Sequence, residues 1–98
     1  MSVYTLGIWT VRPGRGGDFE DGWRRMAERT RADHPDATAV LLRDQERPDT
    51  YISFGPWDSV EQIAAWRASP MFTESVAGLR QMLAGFEPHT MDPVVVVG

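Results

Sequence analysis

Cysteine, lysine and asparagine are all absent from this 98-residue chain, and each absence closes off a kind of chemistry. Without cysteine there is no disulfide, no thiol nucleophile and no thiolate metal site. Without lysine no Schiff base can form on a side chain. Positive charge is carried by arginine alone, and the net charge is −4. Dispersed arginines on an acidic chain do not make the concentrated basic face that phosphate contacts require, so no nucleic-acid partner is expected. Long apolar runs are also missing: none approaches the ~20 residues that cross a bilayer, so no membrane partner is expected. The N-terminal MSVYTLGIWTV lacks a basic leader and an uninterrupted apolar core. A signal peptide is therefore not expected, and a cytoplasmic location is.

What is present is an ordinary globular balance, 42% hydrophobic and 24% charged residues, enough for one domain over residues 1–98. Val3 to Val11 is rich in β-branched and aromatic residues and is predicted as a strand. RPGRGGD breaks it, with Asp18 as the predicted N-cap of a helix whose Phe19, Trp23, Met26, Ala27 and Thr30 share one face. That helix is predicted to stop near Asp33, ahead of Pro35. Ala37 to Asp44 and Thr50 to Phe54 are predicted to form a hairpin, ended by Gly55-Pro56. Asp58 and Glu61 stand at capping-box spacing for a helix to about Ala68, and Ser69-Pro70 opens another. Phe72, Val76, Leu79, Leu83 and Phe86 recur at spacings of three and four, predicting one buried helical stripe. PHTMDPVVVVG supplies the last predicted strand.

The resulting β-α-β-β-α-β order is an α+β, ferredoxin-like split βαβ, an antiparallel sheet with its helices on one face. Its strands are apolar on both faces, with Tyr4, Leu6 and Ile8 opposite Trp9 and Val11, and Val40 and Leu42 opposite Ala39 and Leu41. Helices cover only one face of such a sheet, and a second copy is the simplest cover for the other. A homodimer with packed sheets is expected.

The same order, together with SFGPWDSVEQIAAW and RASPMF, resembles the antibiotic biosynthesis monooxygenase family. The residues that carry the likeness are Trp57-Asp58-Ser59, Ala64-Ala65-Trp66 and Ser69-Pro70-Met71-Phe72. The resemblance implies a dimeric α+β barrel with one pocket per subunit. It also implies either cofactor-independent oxidation of phenols, anthrones or hydroquinones to quinones with O2, or haem degradation. Haem-degrading members carry an asparagine on the first strand, at a position corresponding to Gly7, and a histidine ligand after the pocket tryptophan. Here no asparagine exists and Ser75 occupies roughly the ligand position, so the resemblance favours the cofactor-free reaction, with no cofactor and no metal.

Trp66 is the candidate pocket wall, with an indole N–H able to donate to a substrate oxygen. His89 is the candidate base, since histidine titrates near neutrality, and Tyr51 an alternative proton handler. Trp9, Phe72, Met71, Ser53 and Leu83 are the expected substrate-binding residues, Ser53 sharing a strand face with Tyr51. Trp57 and Trp23 are expected to pack, His34 to sit against a helix C-terminus, and Arg43 and Arg80 to make solvated ion pairs. The competing expectation is a non-enzymatic dimeric barrel for a hydrophobic small molecule. The two separate on one point: an enzyme of this design has a proton-handling group facing its cavity.

Overall fold

The computed structural model describes residues 2–98. Four strands, β1 (Val3–Val11), β2 (Val40–Arg43), β3 (Thr50–Trp57) and β4 (Leu83–Met91), alternate with α1 (Gly16–Asp33), α2 (Val60–Ala68) and α3 (Pro70–Arg80). The sheet order is β2-β3-β1-β4 and every neighbouring pair is antiparallel. This is the α+β ferredoxin-like arrangement, with the second predicted helical region broken at Ser69 into α2 and α3. Ser69 performs both halves of that break. Its hydroxyl donates to the Trp66 carbonyl at the end of α2 and accepts from the Phe72 N–H at the start of α3, with Pro70 in the first turn.

Strand alternation decides what the helices meet. Trp9, Val11 and Tyr51 point toward the helices and pack with Phe19 and Met26 of α1, Val76 and Leu79 of α3, and Leu83. Phe19 is the centre of this core: it is 0% exposed, with ring centroids 5.3 Å from Trp9 and 5.0 Å from Tyr51. The opposite sheet face carries Val40, Leu42, Ile52, Phe54 and Met91, all exposed.

Several boundaries differ from those the sequence suggests, each for a local reason. Helix α1 begins at Gly16, ahead of Asp18, and Asp18 accepts from Arg15 Nε at 3.3 Å within the first turn. Helix α2 is capped by Ser59, not Asp58: Ser59 Oγ accepts from Gln62 N at 3.1 Å, while the Gln62 side chain accepts from Asp58 N at 3.1 Å. The box is thus Ser-x-x-Gln, one residue later than the Asp–Glu pair.

Strand β3 continues through Gly55-Pro56 to Trp57 because the loop before β2 crosses it there. A Cβ on Gly55 would overlap the Thr38 carbonyl oxygen and press on Ala39. That crossing shortens β2 to four residues, and Pro56 lies beyond the last β2–β3 pair, on an edge where proline is tolerated.

The largest difference is at the C-terminal end. Leu83 and Phe86 belong to β4, not to the helix, and Asp92–Gly98 lies beyond it. Val11 pairs with Leu83 and Thr10 with Gly85, so Ala84 is an extra, bulged residue. The bulge returns Leu83 and Phe86 to the same sheet face at a spacing of three, which imitates helical periodicity.

Candidate functional site

Between the helix-facing side of the sheet and helices α1 to α3 lies a cavity of about 140 Å³. Its walls are largely apolar, and seven of the twenty lining residues are aromatic. Trp9 stacks on Phe86 (centroids 4.0 Å apart, 17° between planes), while Trp57, Trp66 and Phe72 form a chain with centroid spacings of 4.9 and 4.5 Å. Trp23 and Met26 complete the α1 side. A dry cavity of about 150 Å³ takes one benzene-sized ring, so this one is of a size for a single aromatic ring.

Every indole N–H on this wall except that of Trp23 is spent on a hydroxyl. Trp9 Nε1 donates to Ser53 Oγ at 2.9 Å, Trp57 Nε1 to Thr5 Oγ1 at 3.3 Å, and Trp66 Nε1 to Thr30 Oγ1 at 3.1 Å. Trp66 therefore walls the cavity but does not bring the free donor expected of it. Thr30 passes its own proton to the Met26 carbonyl at 2.9 Å, which closes that chain. Ser53 is different. Its oxygen accepts from Trp9, and its own proton has no acceptor among the described residues, although Ser53 lines the cavity. A hydroxyl already accepting a hydrogen bond is a better donor, so Trp9–Ser53 places a polarised donor on the cavity wall. Gly7 makes the space for it: a Cβ there would lie 2.9 Å from Trp9 Nε1 and 3.0 Å from Ser53 Oγ. No asparagine fits at that position while this pair is in place.

The structure thus brings Trp9, Ser53, Trp66 and Phe72 together around one cavity, and adds Trp57 and Trp23, which were expected only to pack. Other expected site residues stand elsewhere. Tyr51 is buried in the core, and its hydroxyl donates to Glu20 Oε2 at 2.7 Å. Burial first, and then the Glu20 carboxylate, hold the phenol above its ordinary pKa, opposing a role as base. His89 pairs with Leu6 on the opposite sheet face, its Nε2 3.7 Å from Glu87. The strand parity that places Trp9 and Ser53 inside puts His89 outside. Met71 and Leu83 pack in the core, not on the cavity wall.

Two cations that were not singled out do line the cavity, Arg31 and Arg67. Arg67 bridges from α2 to β4, donating from one terminal nitrogen to Thr90 Oγ1 at 2.8 Å and from the other to the His89 carbonyl at 2.9 Å. None of the ion pairs among the described residues includes it. Burial pulls its guanidinium pKa below the ordinary value. Arg43 approaches Glu20 at 4.0 Å, and Arg80 lies 5.9 Å over the Phe86 ring, neither inside the cavity.

The sequence model of the antibiotic biosynthesis monooxygenase family matches residues 3–78, which contain all three helices' cavity residues and the Trp9–Ser53 pair. The chain belongs to this family. Its fold is shared with SnoaB, a cofactor-independent oxygenase from Streptomyces nogalater, at 22% identity over 98% of this chain and 96% of that one, with a TM-score of 0.85. An antibiotic biosynthesis monooxygenase superposes at a TM-score of 0.81 with 19% identity over 95% and 99% of the two chains. A conserved protein from Methanosarcina mazei is similar too, with a TM-score of 0.81, 15% identity and coverage of 92% and 90%. No curated protein matches the chain in sequence. At these identities the solved structures show the fold alone, and the chemistry of this member rests on its own cavity.

Proposed function

We propose that the protein is a cofactor-independent monooxygenase that oxidises an electron-rich phenol, anthrone or hydroquinone-type aromatic to a quinone with O2. The observation that carries this reading is the Trp9–Ser53 donor set into a cavity walled by tryptophan and phenylalanine. Such a reaction asks one thing more, a substrate in its deprotonated form, which the hydrogen bond from Ser53 favours in place of the Tyr51 or His89 base expected from the sequence. The substrate supplies all the electrons: a phenol with a free para position, or an anthrone at its methylene carbon, and one O2 give a quinone and one water, one oxygen atom going to each product, and a hydroquinone gives a hydroxyquinone and one water in the same way. The protein holds the ring, excludes water and stabilises oxyanion charge with fixed donors. Membership of the monooxygenase family supports the same reading.

A homodimer is part of the proposal. The exposed row of Val40, Leu42, Ile52 and Phe54 continues across the half-buried Tyr4, Leu6 and Ile8, an apolar face that a second copy would cover. Sedimentation equilibrium is expected to give twice the 11.0 kDa chain mass, and Ile52→Arg to give the monomer. A monomeric parent at micromolar concentration would contradict this part.

One observation favours a second reading, a barrel that binds a hydrophobic ligand without turnover: Tyr51 and His89 both lie outside the cavity. Oxygen uptake by metal-free protein with anthrones, hydroquinones and naphthols separates the two. Uptake above the uncatalysed rate, reduced about tenfold or more in folded Trp66→Phe through lost ring orientation, is the result expected of the oxygenase. Ligand binding with no uptake across the panel would establish the binder.

A further inference from the structure

The cavity wall contains no side chain able to act as a base near neutral pH. Lining groups come from every surrounding element, and the ionisable ones are Arg31 of α1 and Arg67 of α2; β1, β3, β4 and α3 contribute none. Both are cations, so this site attracts a negative charge and has nothing that could create one by taking a proton.

Arg67 is the better built of the two. Thr90 and the His89 carbonyl fix its guanidinium through one bond from each terminal nitrogen. A guanidinium has five N–H donors, so three remain. No carboxylate neutralises it, whereas Arg43, Arg24 and Arg15 each have one nearby. Arg31 is exposed and reaches only the Pro35 carbonyl, at 3.5 Å.

We propose that Arg67 is the receptor for an anionic oxygen on the ligand, so that the aromatic molecule enters the cavity already ionised, as a phenolate or enolate. The inference rests on this cavity being the substrate site, and it extends the oxygenase reading by naming the substrate's charge state. Arg67 would hold the anion while Ser53 donates to an oxygen deeper in the cavity. Ionisation then happens in solution, and acidic phenols are preferred over weakly acidic ones of the same shape.

The test is calorimetric binding of a naphthol series graded in acidity by ring halogens, beside the corresponding methyl ethers, each across a range of pH. The expected result is binding about tenfold or more tighter for the ionised form, as befits a charge-assisted hydrogen bond. Its pH midpoint should move with the pKa of each naphthol, and the ethers should bind weakly without pH dependence. Arg67→Gln should abolish the preference and Arg67→Lys retain part of it, with melting temperatures confirming that each is folded. The ligand series in the parent protein decides the matter even if a variant does not fold. Equal binding of ethers and naphtholates overturns the proposal. So does a midpoint fixed at one pH for every ligand, or no binding at all. Anion preference without oxygen uptake would uphold this proposal and overturn the oxygenase reading; uptake without anion preference would do the reverse.

Discussion

Replacing Ser53 with alanine is expected to lower turnover by about 10²- to 10³-fold, the usual consequence of losing one fixed donor to a developing oxyanion. Ser53 is the one hydroxyl on β3 that faces the cavity, and while its oxygen accepts from Trp9 its proton has no acceptor among the described residues. The substitution also leaves a buried indole N–H without an acceptor, which costs about 1–3 kcal/mol of stability. These two effects separate in the double variant Ser53→Ala with Trp9→Phe. Removing the orphaned N–H should recover part of the lost melting temperature, while turnover stays low. Steady-state oxygen uptake and thermal melts on the same samples check both halves. If Ser53→Ala turned over as the parent does, the hydroxyl would be only a structural partner of Trp9.

Phe19→Ala is expected to be the most damaging single truncation in the core, costing about 3–5 kcal/mol. Phe19 is fully buried and touches the rings of both Trp9 and Tyr51, so its removal opens a void between α1 and the central strands. A domain of this size has about 5–15 kcal/mol in total and loses about 4–8 °C of melting temperature per kcal/mol. A fall of at least about 12 °C should therefore appear in a thermal melt followed by near-ultraviolet circular dichroism. A change of only a few degrees would mean that the void collapses, and that Phe19 is not the centre of the core between α1 and the sheet.

The fold was legible where one physical signal dominated. The β-branched and aromatic composition of β1 located it over Val3–Val11, and Ser69-Pro70 marked the step between α2 and α3. Where two signals coincide, the reading failed. Leu79, Leu83 and Phe86 have helical spacing, but only because the bulge at Ala84 shifts strand parity. The end of β3 was misplaced because the Thr38 carbonyl that presses on Gly55 comes from a distant loop, which no local pattern records.

The site divides in the same way. Ser53 and Trp9 were recoverable from strand alternation, and Phe72 and Trp66 from the family resemblance. The titration range of His89 and its place in a strand between Glu87 and Thr90 point to a base, but only the strand register reveals that it stands beside Leu6 on the outer face. Tyr51 was assigned to the correct face, yet burial against Phe19 and the bond to Glu20 removed it from the cavity. Arg67 was missed although a signal existed. Positions 63, 64, 70 and 71 are Ile, Ala, Pro and Met, so this helical arginine has no acidic neighbour at a spacing of three or four. Arg80 of α3 shares that feature, with Val, Ala, Leu and Ala at the same spacings, and lies outside the cavity, so it is the bonds to Thr90 and the His89 carbonyl that set Arg67 apart.

The central claim is that one atom of O2 is transferred to an aromatic held in the cavity, with all electrons drawn from the substrate. Mass spectrometry of the product formed by metal-free protein under ¹⁸O2 tests it most directly, using an anthrone and the naphthol that binds best. The expected product is a quinone with one ¹⁸O atom, formed faster than in the protein-free control and slowed in Ser53→Ala. A quinone whose new oxygen is unlabelled, or labelled product at the protein-free rate with every substrate bound, would contradict it.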